Sequence, residues 1–170
     1  MEKQSRRRII AIILFIVAMC FTELSPFSSR AVEMINGGYG TFDMKSYDPE
    51  TFVQVMEATT NMAQYWKYYI FDFLFTAAFL NFMVQFVKGF DGKLARRIRP
   101  ILYALAVIRA CFDITENCIL LNQIYSYPNY SLSLIKTCNM ITTAKFGFMW
   151  CWMACFLVMV ISQVVEKRKR

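Results

Sequence analysis

Histidine is absent from all 170 residues, and that absence excludes a great deal of chemistry. A zinc site or haem held by imidazole and any Ser-His or Cys-His catalytic pair are ruled out together. The six cysteines (Cys20, Cys111, Cys118, Cys138, Cys151 and Cys155) contain no Cys-x-x-Cys, so a thioredoxin-like redox centre has no motif to stand on. Buried free thiols are the default, with a Cys118–Cys138 disulfide as an alternative if both lie near an oxidising outer surface. Charge is also scarce, at 18% of residues, against 57% hydrophobic and 16% aromatic.

The apolar excess is clustered. Four stretches each approach the roughly 20 residues a helix needs to cross the hydrocarbon core. The sequence therefore predicts an all-α, polytopic membrane protein: a four-helix transmembrane bundle with a short amphipathic outer helix, in which residues 1–170 form one domain. Spans are expected at about 9–24, 66–87, 101–124 and 139–165, with an outer loop and amphipathic helix over 25–65. A cleaved signal peptide would look the same as the first span, although Thr22-Glu23-Leu24-Ser25-Pro26 lacks a small-x-small cleavage site.

A net charge of +7 has the sign that nucleic acid attracts, but the basic residues sit in blocks at segment ends. Lys3, Arg6, Arg7 and Arg8 begin the chain, Lys88 to Arg99 fill one short loop, and Lys167 to Arg170 end it. This is the pattern of topology in a plasma or inner membrane, with both termini cytoplasmic and an even number of crossings. The bilayer is the expected partner, and nucleic acid is not. The opposite connection, Gln123 to Lys136, is poor in charge and includes the sequon Asn129-Tyr130-Ser131.

Between the first two spans, Asn36-Gly37-Gly38-Tyr39-Gly40 reads as a loop, since it lacks the strand and the Lys-Ser or Lys-Thr of a phosphate-cradling turn. Asp48-Pro49-Glu50 then starts a helix: an N-cap, a proline at the first position and an acidic first turn. Phe52, Met56, Ala63 and Trp66 follow at helical spacing, and Trp66, Tyr68 and Tyr69 read as an interfacial aromatic belt.

The third apolar stretch carries Arg109, Asp113, Glu116 and Asn117 within one arc of about 100°. A charge near the bilayer centre costs about 2.5–3.5 kcal/mol on insertion scales, so these groups need partners from other spans. Counted from the outer ends, Asp72 and Lys145 fall at the depth of Asp113 and Glu116, with Arg109 nearer the middle and Glu23 at the interface. The six residues Asp72, Arg109, Asp113, Glu116, Asn117 and Lys145 are thus a candidate ligand-binding or ion-pair cluster, read as a polar pocket opening outward. Asn81 lies on the other side of its helix and is read as an interhelical hydrogen-bonding residue.

Asp113-Ile114-Thr115-Glu116-Asn117, then Tyr127-Pro128, then Thr142-Thr143-Ala144-Lys145, resembles a pattern of uncharacterised bacterial four-span membrane proteins: Asp-x-x-Glu-Asn, an aromatic-Pro and a Thr-x-x-Lys. Asp72-Phe73-Leu74-Phe75 resembles their second span, so the likeness covers the C-terminal two-thirds of the chain. It implies architecture, and that Asp72, Asp113, Glu116, Asn117 and Lys145 belong to one site; no activity comes with it.

The expected function is binding or moving a small cationic or zwitterionic ligand, or a proton. A mobile proton or a monovalent cation would balance the excess negative charge. Transport by four helices would call for a homodimer or a partner membrane protein. The alternatives are a non-enzymatic accessory or scaffold subunit docking a partner through the segment from Pro49 to Tyr65, and a metal-assisted enzyme at the outer leaflet. No catalytic residue, resident metal or cofactor is implied.

Overall fold

The computed structural model describes residues 2–168, which are almost entirely helical, with no strand among them. The helices are α1 (Glu2–Leu24), α2 (Ser29–Ile35), α3 (Pro49–Ala58), α4 (Ala63–Val87), α5 (Lys93–Ser126) and α6 (Leu132–Arg168), with a 3₁₀ turn at Phe42–Met44. Three helical segments are long and apolar enough to cross a membrane: the N-terminal one, α4 and α6. At 34 residues α5 has the length as well, but its charged residues keep it out of that group.

The long helices pack in chain order, α1 on α4, α4 on α5 and α5 on α6. Phenylalanines join the first pair, Phe15 lying against Phe75, Phe79 and Phe82. At one end of the molecule the start of α1, the loop between α4 and α5 and the end of α6 meet. The Arg8 guanidinium lies over Gly89 and leaves no room there for a Cβ, and Glu166 Oε2 lies 2.7 Å from the point a Cβ would take on Gly92.

The other end is covered by the segment between α1 and α4. Asn36 ties its turn shut, donating Nδ2 to Gly40 O at 2.6 Å and to Tyr65 Oη at 2.7 Å. Gly38 and Gly40 hold φ of +86° and +87°, a region that costs a residue with a Cβ. This turn delivers Phe42 and Asp43 into the protein, both buried. The expected start of α3 is present: Asp48 accepts from Thr51 N at 2.7 Å, and Pro49 is the first helical residue. The hydrogen bond from the Thr51 backbone N–H that caps the helix, with the Thr51 side chain beside it, holds the Asp48 carboxyl below the ordinary carboxylate range.

Several expectations need correction. Phe52 and Met56 are buried in the protein's own core beside Phe42, Tyr65 and Ile135, so they are not a free face for a partner. Of the proposed aromatic belt only Trp66 is exposed; Tyr68 and Tyr69 point inward. The third helix begins at Lys93 and runs through Pro100, where a start was expected. Ala95, Ile98 and Leu102 on this extra length pack against the core, and their burial offsets the hydrogen bond that proline cannot donate. All six cysteines are free, with Cys138 buried and Cys118 exposed, so the pair is not bridged.

The core is layered. An apolar cluster at the capped end includes Tyr65, Tyr69, Leu120, Ile124, Ile135 and Cys138. A second, toward the basic end, includes Met83, Val87, Leu102, Ala106, Trp152 and Met159. Between these two sets, on α4, α5 and α6 alike, every buried position but Ala110 is polar: Asp72 and Thr76; Arg109, Asp113, Glu116 and Asn117; Thr142 and Lys145.

Candidate functional site

Helical spacing builds this polar layer. Arg109 and Asp113 stand one turn apart on α5, Glu116 and Asn117 continue the stripe, and all four face the protein interior. On α4, Asp72 and Thr76 are likewise one turn apart, and on α6 Thr142 is followed one turn later by Lys145. The six residues expected to form one site are all buried, none more than 6% exposed, and they do come together.

Lys145 is the hub. Its Nζ lies 2.9 Å from Asp113 Oδ1, 2.5 Å from Glu116 Oε2 and 2.9 Å from the carbonyl oxygen of Asp43, which uses all three ammonium donors. Asp113 is held from two further sides: Arg109 Nη1 lies 3.1 Å from Oδ2, and Thr76 donates its hydroxyl to the same oxygen. The Arg109 guanidinium also sits 4.6 Å from the centre of the Phe79 ring, a cation–π contact. Glu116 accepts a second hydrogen bond, from Thr142, and its backbone carbonyl accepts one from Cys138 Sγ at 3.7 Å. Asn117 donates Nδ2 to Asp72 Oδ2 at 2.6 Å, joining α5 to α4.

The residue that sequence reasoning missed is Asp43, in the 3₁₀ turn. It is 2% exposed, its carbonyl receives Lys145, and its Oδ2 accepts from Tyr68 Oη at 3.1 Å. Burial holds its carboxyl above the ordinary carboxylate range, with the Lys145 charge pulling the other way. Nothing in Thr41-Phe42-Asp43-Met44 marks this aspartate; only the glycine turn before it hinted that the chain changes direction there. Glu23, by contrast, lies outside the cluster and accepts from Ser29 Oγ at 3.1 Å on the exposed surface.

The site differs from the expected open pocket. Its members are buried, and the Phe42–Met44 turn lies over it with Phe42, Tyr47 and Phe52 packed behind. Four carboxyl groups (Asp43, Asp72, Asp113 and Glu116) share the layer with two cations (Arg109 and Lys145), an excess of two negative charges if all are ionised. Four buried polar atoms within it have no hydrogen-bond partner: Asp43 Oδ1, Asn117 Oδ1, and Nε and Nη1 of Arg109, the last of which is near Asp113 Oδ2 as an ion pair without hydrogen-bond geometry. Among the described residues no three acidic or cysteine side chains converge as a metal-ion cage would require.

Comparison with protein-family models, with curated proteins and with solved structures finds no match to this chain. The site is therefore read from its own geometry.

Proposed function

We propose that the chain is a four-span membrane protein, both ends on the cytoplasmic side, whose sealed polar layer binds or relays a small cation or a proton reaching it from the outer face. The observation that carries this reading is the uncompensated charge: four buried carboxyl groups against two buried cations. In a low-dielectric interior such an excess is relieved by protonation or by a bound cation. Ionisable groups within membrane segments mark ion and ligand pathways by default. The meeting of the start of α1, the loop between α4 and α5 and the end of α6 remote from the site favours this orientation, because the basic blocks of the sequence lie in or beside these segments and such blocks stay on the cytoplasmic side. With α5 counted as the fourth span, the apolar surface of α4 and α6 flanks its charged stripe, which faces away from lipid.

A structural role has one observation in its favour. Arg109, Asp113, Glu116 and Lys145 pair at 2.5 to 3.1 Å, so the charges of this part of the layer balance without a ligand.

The separating experiment is thermal stability of the purified protein in lipid nanodiscs, across pH and in Li⁺, Na⁺, K⁺, methylammonium and choline chlorides. A ligand for the folded state raises the melting temperature with its concentration. A melting temperature that ignores both pH and every cation would leave only the structural role.

A further inference from the structure

The polar layer divides by charge into two unequal halves. Arg109, Asp113, Glu116 and Lys145 are two cations and two carboxylates in direct contact, a neutral set. The whole excess therefore rests on Asp43 and Asp72, and neither carboxyl touches a cation. Asp43 Oδ2 accepts from the neutral Tyr68 hydroxyl, at 3.1 Å, with the neutral Thr41 hydroxyl also beside the Asp43 carboxyl, and Asp72 Oδ2 accepts from the neutral Asn117 amide, at 2.6 Å.

These two carboxyl groups are neighbours. Tyr68, whose hydroxyl donates to Asp43 Oδ2 at 3.1 Å, stands one turn before Asp72 on the same face of α4, and both residues are buried. Two acceptor atoms beside them are buried without a donor, Asp43 Oδ1 and Asn117 Oδ1, and their residues are 2% and 0% exposed. An unpaired buried acceptor costs its full desolvation, and two such acceptors next to an uncompensated pair of acids call for positive charge in one place.

Resting on the membrane-protein reading above, we infer that Asp43 and Asp72, with the amide oxygen of Asn117, form the site that takes the cation. The ligand is a monovalent positive charge accepted by oxygen atoms, supplied either as a proton or as an alkali ion; it leaves the two carboxyl groups sharing one negative charge, as a pair of adjacent carboxylates holding one proton does. The quartet around Lys145 is the fixed scaffold beside it. Asp43 comes from the covering turn and Asp72 from α4, so the ligand joins the cover to the helices. The other titratable groups facing the pair are Tyr68 and Tyr69 on α4, Asp113 and Glu116 on α5, and Cys138 and Lys145 on α6.

The test is a contrast of sign. In choline chloride at pH 8.5 the unliganded pair repels, so Asp43→Asn and Asp72→Asn are each expected to melt several degrees above the parent. Asp113→Asn and Glu116→Gln, which leave Lys145 or Arg109 short of a counter-charge, are expected to melt several degrees below it. The parent should recover on lowering the pH to 6 if the ligand is a proton, and on adding Na⁺ or Li⁺ at pH 8.5 if it is an alkali ion. Either response should vanish in Asp43→Asn and Asp72→Asn. A parent response that survives in those two variants and is lost in Glu116→Gln would overturn this assignment and keep the proposed function. No parent response at all would overturn both.

An infrared measurement on the parent protects the test from variants that fail to fold. Between pH 6 and 9, or on addition of Na⁺, the carboxyl bands that change should shift with ¹³C-aspartate and not with ¹³C-glutamate. Bands that shift with glutamate instead would place the charge on Glu116 and reject the pair.

Discussion

The ammonium of Lys145 lies 2.5 Å from Glu116 Oε2, and this one contact joins α6 to α5 at the centre of the polar layer. Both side chains are almost wholly buried, at 3% and 0% exposure, so neither can turn to water if the other is removed.

Lys145→Met should therefore cost about 3–5 kcal/mol, the usual penalty for breaking one partner out of a buried pair. Adding Glu116→Gln to that variant should restore part of the loss, because it removes one of the stranded charges. A double-mutant cycle read by unfolding in mixed micelles checks this, with a coupling energy expected to exceed about 0.5 kcal/mol.

The threonines that serve the two carboxylates make a gentler test. Thr76 donates to Asp113 and Thr142 to Glu116, both buried, so valine at either position should cost about 1–3 kcal/mol. Thr143 is the control: it is exposed and bonds only the Asn139 carbonyl of its own helix, so Thr143→Val should stay within about 0.5 kcal/mol of the parent. Equal losses at positions 142 and 143 would show that the carboxylate hydrogen bond contributes nothing.

The covering turn should loosen as the pH rises. Burial raises the Asp43 carboxyl, so folding takes up a proton there. The stability associated with that proton is fully present below the ordinary carboxylate range and is lost as pH climbs through the raised value. Amide hydrogen exchange at Phe42–Met44, corrected for intrinsic rates, should therefore speed up with pH in the parent and stay level in Asp43→Asn. Flat exchange in the parent would contradict the sign.

Topology can be read with an impermeant maleimide on intact cells, using single cysteines in a cysteine-free background. Glu57, Arg97 and Asn129 are exposed and stand before α4, early in α5 and after α5. Four spans predict labelling at positions 57 and 129 and protection at 97 until the membrane is opened. Protection at 129 would mean that α5 does not cross.

What the sequence disclosed followed from helical periodicity, and what it hid lay where periodicity stops. Arg109, Asp113, Glu116 and Asn117 could be placed on one face because they share a helix, and charges in an apolar stretch had to turn inward. Depth counting then brought Asp72 and Lys145 to the same level. Asp43 could not be found that way, because a loop residue carries no phase; its position depends on the Asn36 side chain closing the glycine turn. Tyr68 and Tyr69 were misread as interfacial for a related reason: an aromatic near a span end suits either a lipid headgroup or a buried core, and only the packing of the outer loop decides. Pro100 misled in the opposite way, since a local start signal gave way to burial of the turns on either side.

The charges in the polar layer also arrive in a definite order during synthesis. Asp43 and Asp72 are made first, then Arg109, Asp113, Glu116 and Asn117, and Lys145 last. In the four-span arrangement α5 is the helix least able to enter lipid by itself. It carries its own first compensation, the Arg109–Asp113 pair one turn apart. The rest waits for α6, which brings Lys145 and a long apolar surface together. Insertion of α5 is then tied to emergence of α6 from the ribosome, and a chain stopped before residue 145 should leave its third helix at the membrane surface.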